Sequence, residues 1–102
     1  MSVTVRDNVA QTRYEVFVED QLAGFEDYKL SPGRINFLHT EIDSSFTGQG
    51  LAATLVKFAL DDARSRDLTV RPYCPYVAKY IREHSSEYLE LVPASDRDRF
   101  DL

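Results

Sequence analysis

Only one cysteine, Cys74, occurs in the 102 residues. A lone thiol excludes an internal disulfide and a thiol cluster for zinc. A reducing cytoplasm is the simplest home for such a chain. Basic residues are also short: 12 Lys and Arg stand against 17 Asp and Glu, a formal charge of −5. Nucleic acid attracts a basic surface, so this balance argues against it as a partner. An acidic surface suits cationic acceptors such as amines instead. No apolar run approaches the roughly 18 residues of a membrane span. No basic-then-apolar leader of the secretory kind is seen either. Repeats, low-complexity tracts and linkers are missing. The expectation is one domain over residues 1–102, with a modest core.

The first half has the period of strands. Ser2 to Arg6 is short and alternating. Arg13 to Glu19 sets Tyr14, Val16 and Val18 on one face. Asp20-Gln21 reads as a tight turn, with Leu22 to Leu30 returning as the partner strand. Pro32 and Gly33 occupy the two central positions that a type II turn favours, and Arg34 to Ile42 follows as a longer strand. An antiparallel meander of three or four strands results. The second half changes period. Leu51, Leu55, Ala59 and Ala63 share one face of a helix over Leu51 to Ser65, widened by Ala52, Val56 and Leu60. Lys57 with Asp61, and Asp62 with Arg66, are i,i+4 pairs on its outer side. Leu68 to Arg71 is a short strand. Pro75 to His84 is a second helix, with proline in the first turn, where the missing N–H costs nothing. Val77, Ala78 and Ile81 face the core. The charged segment 93–102 reads as a frayed or loosely docked tail. The order β-β-β-β-α-β-α contains one crossover, from strand 34–42 through helix 51–65 to strand 68–71. It should be right-handed and parallel, which makes the central sheet mixed and the class α/β (α+β).

Phe46-Thr47-Gly48-Gln49-Gly50-Leu51-Ala52-Ala53 is a glycine-rich loop running into that long helix. The first N–H groups of a helix have no internal partner and carry the positive end of its dipole. Glycines let an anion approach the main chain. A phosphate-bearing cofactor is therefore expected. A nucleoside-triphosphate loop needs Gly-Lys-Ser/Thr after its glycines, and Gly50 is followed by Leu51. A dinucleotide site fits Gly48-x-Gly50-x-x-Ala53 better. Against it, a polar insert, Asp43-Ser44-Ser45, separates strand from loop, and Arg71-Pro72-Tyr73 offers no carboxylate to a ribose.

Thr47-Gly48-Gln49-Gly50-Leu51-Ala52 resembles the coenzyme A signature of the GCN5-related N-acetyltransferases, with Gly50 and Ala52 at its last two small positions. The stretches Ile35 to Ile42, Gly48 to Ala52, Arg71 to Val77 and Tyr80-Ile81-Arg82 resemble the very small, single-domain members of that group. The likeness spans about residues 10 to 92. It implies a minimal acetyltransferase fold and acetyl-CoA as cofactor. It also implies an N-acetyltransferase with an amine acceptor, or a module that binds CoA or acyl-CoA without catalysis. A domain that only binds other proteins is the third possibility. By the same resemblance, the pantetheine arm lies against strand 34–42. Backbone groups around Glu41, Ile42 and Asp43 hold it, and the N–H groups of Gly48, Gln49, Gly50, Leu51 and Ala52 cradle the diphosphate. The chain departs from the larger family in three places. Thr47 stands where Arg or Gln begins the signature. The helices between the first two strands are missing, since only Asp7 to Thr12 lies there. The proton-donating tyrosine of the last helix has Tyr80 as its nearest counterpart.

Acyl transfer to an amine needs a positioned thioester, a deprotonated amine, a stabilised oxyanion and a departing thiolate. With Pro75 opening its helix, Cys74 falls at the N-cap, where the dipole favours thiolate. It can accept the acyl group or manage the leaving thiol. The other reading is a small, buried, inert cysteine. Strand alternation puts Glu41 on the same face as Phe37 and His39. Glu41 is a candidate base for the incoming ammonium, or a solvated strand-end carboxylate. His39 is the second candidate base, or a hydrogen-bonded core histidine. The two lack the further ligands a metal needs. Of Tyr73, Tyr76 and Tyr80, two are expected to pack and one to line the cofactor arm. His84 ends its helix as a cap.

Overall fold

The computed structural model describes residues 2–102. Five strands lie in the order β1-β2-β3-β4-β5: β1 Val3–Asn8, β2 Arg13–Val18, β3 Gln21–Ser31, β4 Arg34–Ile42 and β5 Thr69–Pro72. The first four pair antiparallel, and β5 joins β4 in parallel. Helix α1, Leu51–Ser65, makes the crossover. Helix α2, Pro75–Glu83, follows β5, and a one-turn helix α3, Ser85–Tyr88, comes after it. Among the described residues no helix is long and apolar enough to cross a membrane.

Sequence pattern accounts for most of this. Leu51, Leu55, Val56, Ala59, Leu60 and Ala63 of α1 are buried against the sheet, where Tyr14, Val16, Tyr28, Ile35 and Phe37 meet them in one core. Polar anchors fix the helix across it. The Tyr14 hydroxyl donates to Asp62 at 2.6 Å and the Tyr28 hydroxyl donates to Asp7 at 2.6 Å, while Arg66 bridges the same two carboxylates. Burial, then the Asp62 contact, holds the Tyr14 phenol well above its usual ionisation range. The two i,i+4 pairs form as expected, Lys57 to Asp61 at 3.0 Å and Arg66 to Asp62 at 3.3 Å. On the opposite face Arg6 lies over Phe17 and Arg13 over Phe25, with Glu15 held by Arg6, Arg13 and Asn8.

Three local differences from the sequence pattern are physical. The β2–β3 turn is centred on Glu19-Asp20, at φ 49° and 67°, rather than Asp20-Gln21. Hairpin twist favours positive φ at both central residues. Residues 93–102, read as loosely held, fold back in two 3-10 turns. Phe100 is buried and packs edge-on against Tyr73 at 5.1 Å, and Asp96 takes the Arg71 guanidinium at 3.1 Å. A charge-rich composition hid the aromatic anchor and the ion pairs that hold this segment. Third, β4 is bulged. Tyr28 pairs with Phe37 but Asp27 with His39, so Leu38 is the extra residue.

Gly24 lies opposite Ile42 with no room for a side chain. A Cβ there would stand 2.5 Å from the Glu41 carbonyl oxygen and from Ile42 Cδ1. Gly24→Ala should therefore destabilise by about 1–3 kcal/mol, the usual cost of overpacking. It should appear as a lower denaturant midpoint at unchanged m-value.

Candidate active site

The bulge decides which side chains share a face. Beyond Leu38 the strand's parity is reversed. Phe37 is buried in the core, yet His39 and Glu41 are exposed on the far face, where the His39 ring lies 6.4 Å from Phe25. The alternation expected to unite Phe37, His39 and Glu41 on one face fails here. His39 and Glu41 meet each other, Nε2 to Oε1 at 3.3 Å. Glu41 also lines a shallow hollow at the strand end with Leu22, Ala23, Gly24, Phe25 and Asp43.

The residue turned inward is Thr40. Its hydroxyl donates to Glu26 Oε1 and lies 3.0 Å from Cys74 Sγ. The thiol is 3.8 Å from the same carboxyl oxygen. Cys74 is the N-cap of α2, with Pro75 in the first turn, and both Cys74 and Glu26 are buried. Burial pushes the Glu26 carboxyl up to about 8, outweighing the hydrogen bonds from Thr40 and Cys74. Sequence reasoning missed this Glu26–Thr40–Cys74 cluster. A signal existed: Glu26 sits between Gly24 and Tyr28 in the buried register of β3, and a lone acid in that register is rare unless paired. Thr40 could not be found that way, because only the bulge turns it inward.

Beside this cluster the sheet splays. Parallel pairing of β4 with β5 runs only from Arg34↔Thr69 to Phe37↔Pro72. The Cys74 N–H then closes on the Phe37 carbonyl at 2.8 Å, and α2 begins. Residues 39–42 of β4 keep their β3 partners but have lost β5. Asp43 N–H donates to the Ala23 carbonyl at 2.8 Å. Alternation along an antiparallel ladder then directs the main-chain groups of Thr40 and Ile42 into the gap, and those of Glu41 toward β3. Of the expected trio Glu41, Ile42 and Asp43, Ile42 alone offers its main chain to the gap. The Asp43 carboxylate is also engaged, accepting from Ser45 N–H at 2.9 Å and Ser45 Oγ–H at 2.6 Å. These bonds lower its pKa.

Past Ile42 the glycine-rich loop opens α1. Gly48 and Gly50 take φ of 81° and 71°, which favours glycine. Gly50 is the N-cap and supplies no side-chain cap. The first helical bond is Thr54 N–H to the Gly50 carbonyl at 3.3 Å, so the N–H groups of Leu51, Ala52 and Ala53 precede the ladder. Gly48, Gln49, Gly50, Leu51 and Ala52 line one cleft of about 180 Å³ with Ile42, Phe46 and Tyr76. Tyr76 comes from the first turn of α2, two residues beyond Cys74, and so ties the loop cleft to the buried cluster. Tyr80 does not line it. It is buried, stacked on His84 at 4.1 Å and tilted against Tyr88 at 5.9 Å. His84 caps α2, its Nδ1 2.9 Å from the Tyr80 carbonyl. Among the described residues no group of three or more His, Cys, Asp or Glu could hold a metal ion.

A family model described as GCN5-related N-acetyl-transferase matches residues 13–91. Protein NATD1 of Xenopus tropicalis is 37% identical over 57 residues, which cover 55% of this chain and 52% of that one. The human Protein NATD1 is 37% identical over 55% of this chain and 50% of its own length. The chain thus spans about half the length of the curated relatives it matches. Among solved structures, a GCN5-like protein from Staphylococcus aureus superposes with a TM-score of 0.64 at 22% identity, covering 90% of both chains. Ribosomal-protein-alanine N-acetyltransferase from Brucella melitensis gives 0.53 at 20% identity over 74% of this chain and 58% of that one. These two likenesses bear on the fold. The family match takes in β2 through α3, the splay, the loop and the Cys74 helix, and by it the chain belongs to the GCN5-related N-acetyltransferase family.

Proposed function

We propose that this protein is an acetyl-CoA-dependent N-acetyltransferase that moves the acetyl group to an amine. The observation that carries the proposal is the uncapped start of α1, which opens into a cleft shared with Ile42 and Tyr76 at the end of the unpaired edge of β4. The free N–H groups and the dipole suit a diphosphate. Glycine at both positive-φ positions keeps side chains out of its way. From there a pantetheine arm has an edge to pair with, as a strand would. The main-chain groups of Thr40 and Ile42 supply the pairing, and an N–H on that edge can polarise the thioester carbonyl. The arm's length of β4 ends beside Cys74. An acidic surface, with Glu41 exposed at the strand end, suits an amine that arrives as ammonium.

A CoA-binding module without catalysis is the second reading, and two observations favour it. A single 3-10 turn, Val9–Gln11, joins β1 to β2 where larger relatives carry acceptor-binding helices. Tyr80, the nearest counterpart of their proton donor, is packed away beneath His84.

Thermal unfolding with rising CoA should show a stabilisation that grows with ligand concentration. Absence of any shift at millimolar CoA would end both readings. Gly50→Val forces a branched residue into φ 71° and crowds the diphosphate. It should abolish the CoA shift while costing about 1–2 kcal/mol of stability. Cys74→Ala should keep the CoA shift and alter turnover. Thiol release from acetyl-CoA across a panel of amines and peptides then separates the two readings, because only a transferase releases CoA faster when the amine is present.

A further inference from the structure

Glu26 is fully buried, and nothing in the reading above uses it. One oxygen accepts from Thr40, with the Cys74 thiol 3.8 Å away. The other, Oε2, has no hydrogen-bond partner among the described residues. Burying a carboxyl with half its oxygen unsatisfied is costly, and an amide or an apolar residue would serve packing better. The groups around it are few. Asp27 on the same strand is the neighbouring charge, His39 contributes its backbone N–H, and Thr40 and Cys74 contribute side chains.

We propose that Glu26 is the proton acceptor for the Cys74 thiol, aligned by Thr40, so that Cys74 meets the acyl thioester as a thiolate. The proposal rests on the CoA reading. The S–H proton passes to Glu26, directly or across the Thr40 hydroxyl. The sulfur bonds to the thioester carbonyl carbon, and the carbon–sulfur bond to CoA breaks. The CoA sulfur leaves with the electron pair and takes the proton back from Glu26. One thioester is consumed and one is formed, with no oxidant or further reactant. An amine then attacks acyl-Cys74: a carbon–nitrogen bond forms, and the Cys74 sulfur leaves and regains a proton from the ammonium. Desolvation first, then the Asp27 charge, lifts Glu26 to about 8 against the lowering hydrogen bonds, so the carboxyl holds a proton more tightly than an ordinary acid and can take one from a neighbouring S–H.

The test has a part without cofactor. In 13C-labelled protein the Glu26 carboxyl carbon should titrate near pH 8, and Cys74 Cβ should respond in the same window, as a coupled pair does. In Glu26→Gln the Cys74 response in that window should vanish. The second part follows intact mass with acetyl-CoA. Wild type should gain one acetyl group on Cys74, with a rate that climbs toward pH 8. Glu26→Gln should acylate about 100-fold more slowly and lose that limb of the pH profile. Glu26→Asp should recover part of the rate, and the CoA thermal shift should be the same in all three. Thr40→Val, which removes the bridging hydroxyl, carries the same expectation where Glu26→Gln fails to fold. The proposal is overturned if Glu26 titrates in the ordinary carboxylate range, or if Cys74 is indifferent to Glu26→Gln. Wild-type protein that binds CoA but gains no acetyl group would also overturn it. A missing CoA shift alone sinks the cofactor reading, while the carbon titrations still decide whether Glu26 and Cys74 share a proton.

Discussion

The extra residue at Leu38 is the constraint on which the site depends. Up to Phe37, β4 is an ordinary interior strand, bonded to β3 on one side and β5 on the other. At Leu38 it gains a residue, its parity reverses and its second partner departs. Two things follow from one local irregularity. The main chain of residues 38–42 is left with polar groups facing a gap, and such groups seek a partner. The side chain that faces inward becomes Thr40 instead of Glu41. Bulges re-aim side chains and terminate pairing in this way, and here both effects fall within five residues of Cys74's contact with β4.

How legible this was varies with the kind of signal. Periodic signals were easy. The apolar stripe of α1 and the alternation of β2 match the buried positions closely, with Ala52 only half-buried and Glu15 buried under Arg6 and Arg13, because burial of a regular element depends mainly on its period. The loop was legible too, since glycine at positive φ and an uncapped helix start follow from residue types and their order. Parity beyond Leu38 was not. A bulge adds one residue without any composition of its own, and Leu38 has no turn-forming character. His39 and Glu41 therefore looked like the functional pair in His-Thr-Glu, while the middle residue held the inward position. Glu26 was legible in principle, as an acid in a buried register, but its partner lies 48 residues away and only the fold brings them together.

The two ends of the site differ in electrostatic kind. At the loop, backbone N–H groups in an exposed setting offer partial positive charge that moves little and needs no titration. Asp43, the carboxylate just before the loop, is folded back onto Ser45. At the buried end the environment is a low-dielectric pocket in which a full charge is disfavoured. An anionic cofactor tail fits the first setting, and a neutral thioester fits the second. This difference between the two ends argues for a ligand charged at one end and uncharged at the other.

The buried carboxyl also makes the fold sensitive to pH in a defined direction. Glu26 ionises near its ordinary value of 4.5 when unfolded and near 8 when folded. Between those values the native state holds a proton that the unfolded chain has released. Its contribution to stability is thus complete below about 4.5 and is lost as pH rises through about 8. A residue selected for packing alone would not carry that penalty at neutral pH, where an amide of the same shape would be free of it. The contacts to Thr40, Cys74 and the His39 backbone oppose this, because they are worth more to the charged carboxylate than to the neutral acid. The site is therefore poised: burial holds the proton on, and the hydrogen bonds around the carboxyl ease it off.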